Sequence, residues 1–166
     1  MNVDSEQIQF DASITVAQDQ PLGRKALFDV LRDKLGSDNV SKNEILGRKV
    51  IVYKTASRKI VLLANNVTYL GNPHPLFKKR MQLPKWFKEF CLDIKRNALD
   101  YDVRFIGVYH YDGNIIFVDF LKDTYLGHEI HNSSAHVYIN DMYQSMTYGV
   151  FRNCLLYTSD AADDLT

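Results

Sequence analysis

With 166 residues, 46% hydrophobic and 12% aromatic, the chain has the makings of one compact domain and not of a disordered segment. Its formal charge of zero hides a segregation: residues 42–98 hold 13 Lys/Arg against three acids, and the stretches on either side are acidic. No apolar run reaches the ~18 residues of a membrane span. The opening MNVDSEQIQF lacks the basic and apolar regions of a secretory signal. Cys91 and Cys154 form neither a disulfide framework nor a zinc knuckle, so a reducing cytoplasm and no membrane partner are expected.

In chain order, residues 8–17 (IQFDASITVA) alternate weakly and predict one short strand. PLGRKALFDVLRDKL, from Pro21 to Leu35, reads as a helix, with Leu27, Leu31 and Leu35 stacked at i, i+4 and Gly36 ending it. RKVIVYK (48–54) and KIVLLAN (59–65) predict two strands rich in branched residues, joined at Thr55–Arg58. Asn65-Asn66 suggests a turn or bulge, and Gly71-Asn72-Pro73-His74-Pro75 is a break. PKWFKEFCLDIKRNA, from Pro84, predicts a helix with Trp86, Phe87, Phe90, Cys91 and Ile94 as its apolar stripe. Then two apolar runs, VRFIGVYHY and NIIFVDF, flank Asp112-Gly113, a strong hairpin signal. Asn132-Ser133-Ser134 offers a cap for a last helix from Ala135 to Tyr148. The strands of the late hairpin are too apolar for a wet face. The expected class is therefore α/β or α+β, a mixed sheet flanked by helices.

Two features carry chemistry. Asp102 opens the first strand of the late hairpin and Asp119 closes the second, so folding about the Asp-Gly turn draws the two carboxylates to its open end. Neighbouring carboxylates can share Mg²⁺, which lowers the pKa of an attacking water in phosphodiester hydrolysis. Lys122 stands just beyond, and Glu89 on the preceding helix is a candidate third carboxylate. The plainer reading is that Asp102 caps a strand start and Asp119 pairs with Lys122 or an arginine. The second feature is basic. Lys78, Lys79, Arg80, Lys85 and Lys88 form the densest patch, and Arg58 and Lys59 belong to another around the Thr55–Arg58 loop. Such residues suit phosphate contacts on duplex DNA, whereas the interleaved Trp86 and Phe87 suit core packing. A rival zinc reading rests on His128, His131 and His136 near Asp123, Glu129 and Asp141, although H-x2-H-x4-H matches no HExxH or zinc-finger pattern.

The stretch YDVRFIGVYHYDGNIIFVDFLK resembles the PD-(D/E)xK nucleases, which include many type II restriction endonucleases. Their signature is an acid at the start of one core strand, a second acid at the end of the next, and a lysine two positions later. Asp102 and Asp119 match the acids. Tyr101 stands where proline is usual, and Leu121 where lysine is expected, with Lys122 one position late. The resemblance covers about residues 84–148. It implies a restriction-endonuclease-like sheet, Mg²⁺-dependent cleavage of duplex DNA, catalytic roles for Asp102 and Asp119, and a homodimer if both strands of symmetric DNA are cut. Lys122 stands in for the family's lysine one position late, and Glu89 comes from the reading of the helix and not from the resemblance. A noncatalytic nucleic-acid-binding relative is the alternative. The final CLLYTSDAADDLT, from Cys154, resembles a translated sequencing adaptor. That implies one natural domain over 1–153, cut short at Asn153.

Overall fold

The computed structural model describes residues 3–120 and 134–148. It opens with a hairpin, β1 (Ser5–Ile8) and β2 (Ile14–Ala17), followed by α1 (Arg24–Leu35). A meander comes next: β3 (Val40–Ile45), β4 (Arg48–Lys54) and β5 (Lys59–Tyr69). Then follow β6 (Lys78–Gln82), α2 (Phe87–Arg96), β7 (Asp102–Tyr111), β8 (Asn114–Phe120), β9 (Ser134–Tyr138) and α3 (Ile139–Tyr148).

Strand β5 organises the larger sheet, which has seven strands among the described residues. Its first half pairs antiparallel with β4 and parallel with β7, Ile60 opposite Asp102 and Asn66 opposite Val108. Its last residues, Val67 to Tyr69, pair with β6, and β6 pairs with β9. Strand β8 adds to β7 through the Asp112-Gly113 turn, where both residues have positive φ, 50° and 82°. That is the conformation an Asp-Gly hairpin turn favours. The outcome is the expected α+β class with a mixed sheet.

Helices cover the sheet on both faces because its strands alternate between two apolar sets. Val61, Leu63, Val103, Phe105 and Tyr109 pack with Phe87, Phe90, Cys91 and Ile94 of α2, Met142 of α3 and Ile8 of β1. On the opposite face Ile51, Ala64, Ile106, Val108, Ile115 and Phe117 receive Leu27 and Leu31 of α1. Gly107 sits at the tightest point of β7, where a Cβ would stand 2.5 Å from Val67 Cγ2 and 2.9 Å from Phe120. Asn66 ties α1 to the sheet: its Oδ1 accepts from Leu22 N–H and its Nδ2 donates to Leu22 C=O, both at 2.8 Å.

Several elements differ from the sequence expectation. Residues 8–17 do not form one strand. The chain turns back at Gln9–Ser13, where the Asp11 carboxylate accepts from both Ser13 N–H and Ser13 Oγ. Asn65 and Asn66 do not interrupt β5, because their amides find partners beside the strand. The helix expected from Ala135 begins only at Ile139; Ala135 and Val137 instead point inward from β9 at the spacing of a strand. Strand β6 occupies the stretch read as a basic patch, its Lys79 and Met81 turned inward. Strand β3 was not foreseen, and its turn to β4 runs through Leu46 at φ 53° and Gly47. Lys122, His128, His131 and the adaptor-like tail lie outside the described residues. Among the described residues no helix is long and apolar enough to cross a membrane.

Candidate nucleic-acid interface

The late hairpin does pair, but not with the two carboxylates opposite each other. Asp119 faces Ile106, and Asp102 faces Ile60 across the parallel pairing with β5. Alternation along β7 puts Asp102, Arg104 and Ile106 on one face, and Asp119 shares it. Arg104 fills the gap between the acids. Its Nη1 donates to Asp119 Oδ2 at 2.6 Å and its Nε reaches Asp102 Oδ2 at 3.4 Å. Burial would lower the arginine pKa, but Asp119 and then Asp102 outweigh it and hold it raised. All three side chains remain between 39% and 47% exposed, so the cluster is a solvated ion triad worth little to stability. The guanidinium supplies the charge compensation for which a divalent cation was the sequence-based candidate. Among the described residues no three His, Cys, Asp or Glu side chains gather as a metal-holding group. Glu89 does not join the acids: α2 turns Phe87, Phe90 and Ile94 to the opposite face of the sheet and leaves Glu89 exposed to solvent.

The basic residues divide by the strand or helix that carries them. Lys79 is fully buried and cannot meet a phosphate. Its Nζ donates to Asp19 Oδ1 at 2.7 Å and to Ser5 Oγ at 2.8 Å. Asp19 also accepts from Gln7 Nε2 at 2.9 Å and from Tyr69 N–H at 2.7 Å. Tyr109 extends the network by donating to Gln7 Oε1 and accepting from Ile8 N–H. Burial pushes the Lys79 ammonium below the usual lysine range, only partly offset by Asp19. Lys79 is therefore the peg that fixes the β1–β2 hairpin to the sheet. Lys59 lies 4.8 Å from the Tyr101 ring centroid, and Arg58 is exposed in the β4–β5 turn. Lys85 and Lys88 stand at the start of α2, where Arg48 stacks 5.0 Å above Trp86; Trp86 packs against the core.

Lys78 and Arg80 take the outer face of β6 because Lys79 and Met81 take the inner one. Across the strand pair, Arg80 stands opposite His136 and Lys78 opposite Tyr138, and Thr68 of β5 flanks Arg80 on its other side. Phe77 meets the Tyr138 ring edge-on at 5.7 Å. His74 lies in the turn before β6, its carbonyl accepting from the Tyr69 hydroxyl. Burial, and then Lys78, Arg80 and His74, push the His136 imidazole down to about 4. Neither Lys78 nor Arg80 makes an ion pair with the described residues. Lys78, Arg80 and His136 thus share a small strand face on which His74 also acts from the preceding turn, a layout that suits an anion. His136 had been grouped with the other histidines as a zinc candidate; in the fold it is turned to the β6 cations. The signal for this face was present in LFKKRMQL, whose alternate residues are apolar or, in Lys79, buried.

A family model described as methylase-associated X1 matches residues 58–164 of the chain. The matched span begins at the end of the β4–β5 turn and takes in the β6–β9 face and the late hairpin. No curated protein and no solved structure matches.

Proposed function

The chain belongs to the methylase-associated X1 family, and on that footing we propose that it serves a restriction–modification system by binding duplex DNA. The observation that carries this reading is the β6–β9 face. Lys78, Arg80 and His136 share this face, and the charges acting on His136, those of Lys78, Arg80 and His74, are all positive. Lys78 and Arg80 lie two residues apart on one strand face and have no ion-pair partner among the described residues, so an anion bound there would supply the missing counter-charge. A phosphodiester backbone is the compensation a methylase-associated protein would meet. Arg58, Lys59, Lys85 and Lys88 are then secondary contacts that lengthen the footprint, and binding is chiefly to backbone phosphates and not to base edges. The test is titration of labelled duplex at rising salt with the wild-type chain and with Lys78→Ala/Arg80→Ala. Each phosphate contact adds about 0.9 to the slope of log K against log salt. The double variant should therefore lose affinity and flatten the slope by about 2. Binding with an unchanged slope would refute the assignment of the face.

A second reading is a Mg²⁺-dependent endonuclease, favoured by one observation: a single arginine holds Asp102 and Asp119 on the same face of the late hairpin. Asp102 and Asp119 would hold the ion, which would supply an activated water at the phosphodiester. Two carboxylates are a ligand set suited to Mg²⁺, but the ion must take the oxygens that Arg104 now holds. Lys122, close after Asp119, is the candidate to steady developing charge. Wild type, Asp119→Asn and Lys122→Ala are compared on duplex DNA with Mg²⁺ and with EDTA. Cleavage that needs Mg²⁺ and vanishes in Asp119→Asn supports this reading; cleavage surviving in Asp119→Asn refutes the ion site.

A further inference from the structure

We infer that His136 takes up a proton when the β6–β9 face closes on a phosphodiester, so that DNA affinity rises as pH falls. This rests on the DNA-binding reading above and names how that site is regulated. The geometry supplies the coupling. His136 is the direct cross-strand partner of Arg80, and Lys78 lies on the same face two residues from Arg80. The charged groups acting on the imidazole are Lys78 and Arg80 from β6 and His74 from the turn before it. The other residues that alternation sets on this face, Ser134 and Tyr138 of β9, Thr68 of β5 and Gln82 of β6, carry no charge at neutral pH. In the free protein burial disfavours a proton on His136, and the positive charges of Lys78, Arg80 and His74 disfavour it further.

A phosphodiester changes that balance. Its two non-bridging oxygens can accept from the Arg80 guanidinium and from an imidazolium at once. Burial, and then Lys78, Arg80 and His74, keep His136 neutral in the free protein; the phosphate's negative charge offsets that repulsion and adds an attraction for the imidazolium that works against the burial cost. The bound complex therefore holds a proton that the free protein lacks over the interval between its free and bound pKa values. The sign follows from linkage: the DNA-bound state binds more protons, so lower pH favours it. If binding restores His136 to the ordinary imidazole value near ~6.5, affinity rises about threefold from pH 7 to pH 6 and about twentyfold from pH 7 to pH 5. The linkage runs through His136, the cross-strand partner of Arg80, and not through His74 in the turn before β6.

The experiment measures duplex affinity at constant ionic strength from pH 7.5 to pH 5 for the wild-type chain, His136→Gln and His74→Gln. Alongside it, the His136 imidazole resonance is titrated by NMR with and without saturating duplex. The expected result is a wild type whose affinity rises as pH falls, a His136→Gln whose affinity, whatever its level, is nearly flat with pH, and a His74→Gln that keeps the slope. The resonance should titrate at least one pH unit higher in the complex. Wild-type binding that is salt-sensitive but pH-independent overturns this inference and leaves the DNA reading standing, as does an NMR titration unmoved by duplex. A slope that persists in His136→Gln also overturns it. No binding of duplex at any pH or salt overturns the DNA reading itself.

Discussion

Asp19→Ala tests the peg that fixes the N-terminal hairpin to the sheet. The substitution removes the carboxylate from a Lys79 side chain that has no exposed surface, leaving the ammonium with Ser5 Oγ as its hydrogen-bond acceptor and the Tyr109 ring 6.0 Å away. It also strips a partner from Gln7 Nε2 and from Tyr69 N–H. An ammonium left buried without its counter-ion costs roughly 3–5 kcal/mol. Asp19 keeps 20% of its side chain exposed, so water entering the gap brings the expected loss to the lower end, about 3 kcal/mol. For a chain of this length that is a fall in Tm on the order of 10 °C. Urea unfolding of wild type, Asp19→Ala and Asp19→Ala/Lys79→Met reads it directly. The double variant should recover at least half of the loss, because no charge is left stranded. Burial alone would raise the Asp19 carboxyl, but Gln7, Lys79 and Tyr69 N–H together hold it below the usual range. Its contribution is therefore full above the unfolded carboxylate pKa near ~3.9 and fades as pH drops through the lower folded value, so the gap between wild type and Asp19→Ala should narrow there. A loss under about 1 kcal/mol at pH 7, or a double variant as unstable as the single, would refute the stranded-charge reasoning.

Gly107→Ala should cost about 1–3 kcal/mol in urea unfolding, because the new methyl would press on Val67 and Phe120 and β7 cannot shift without its two partner strands. Tyr109→Phe should cost about 1–3 kcal/mol by leaving Ile8 N–H and Gln7 Oε1 without their buried partner, and amide exchange at Ile8 should quicken measurably. Arg104→Ala should change stability by no more than about 1 kcal/mol, since its partners are exposed; a larger loss would mean the triad is a structural element after all.

The elements legible in sequence were those whose signal is local. The Asp112-Gly113 hairpin was found because the pair demands positive φ and its flanks are apolar. The stripes of α1 and α2 were readable from leucine and phenylalanine at helical spacing. Strand β6 was missed because the rule that reads lysine as surface fails at Lys79, whose charge is matched by Asp19, 60 residues away. Strand β9 was taken for helix because its alternation, Ala135 and Val137 inward, is only five residues long and runs straight into α3. The candidate site shows the same division. Asp102 and Asp119 were foreseen on one hairpin, but sequence spacing could not reveal that Arg104 would hold both. His136 opposite Arg80 was out of reach, since that pairing depends on two strands far apart in the chain.

The hairpin that opens the chain has a history written into its contacts. Ser5 awaits Lys79, 74 residues downstream, and Ile8 awaits Tyr109 and Asn114, 101 and 106 residues on. Closing loops of that length costs entropy before any contact repays it. During synthesis these strands are thus made well before their partners, and until β7 and β8 are in place they wait with Ile14 and Val16 uncovered. Ile14 and Val16 stay exposed even in the finished fold, so the same hairpin is where a stalled or half-made chain would first find the wrong partner.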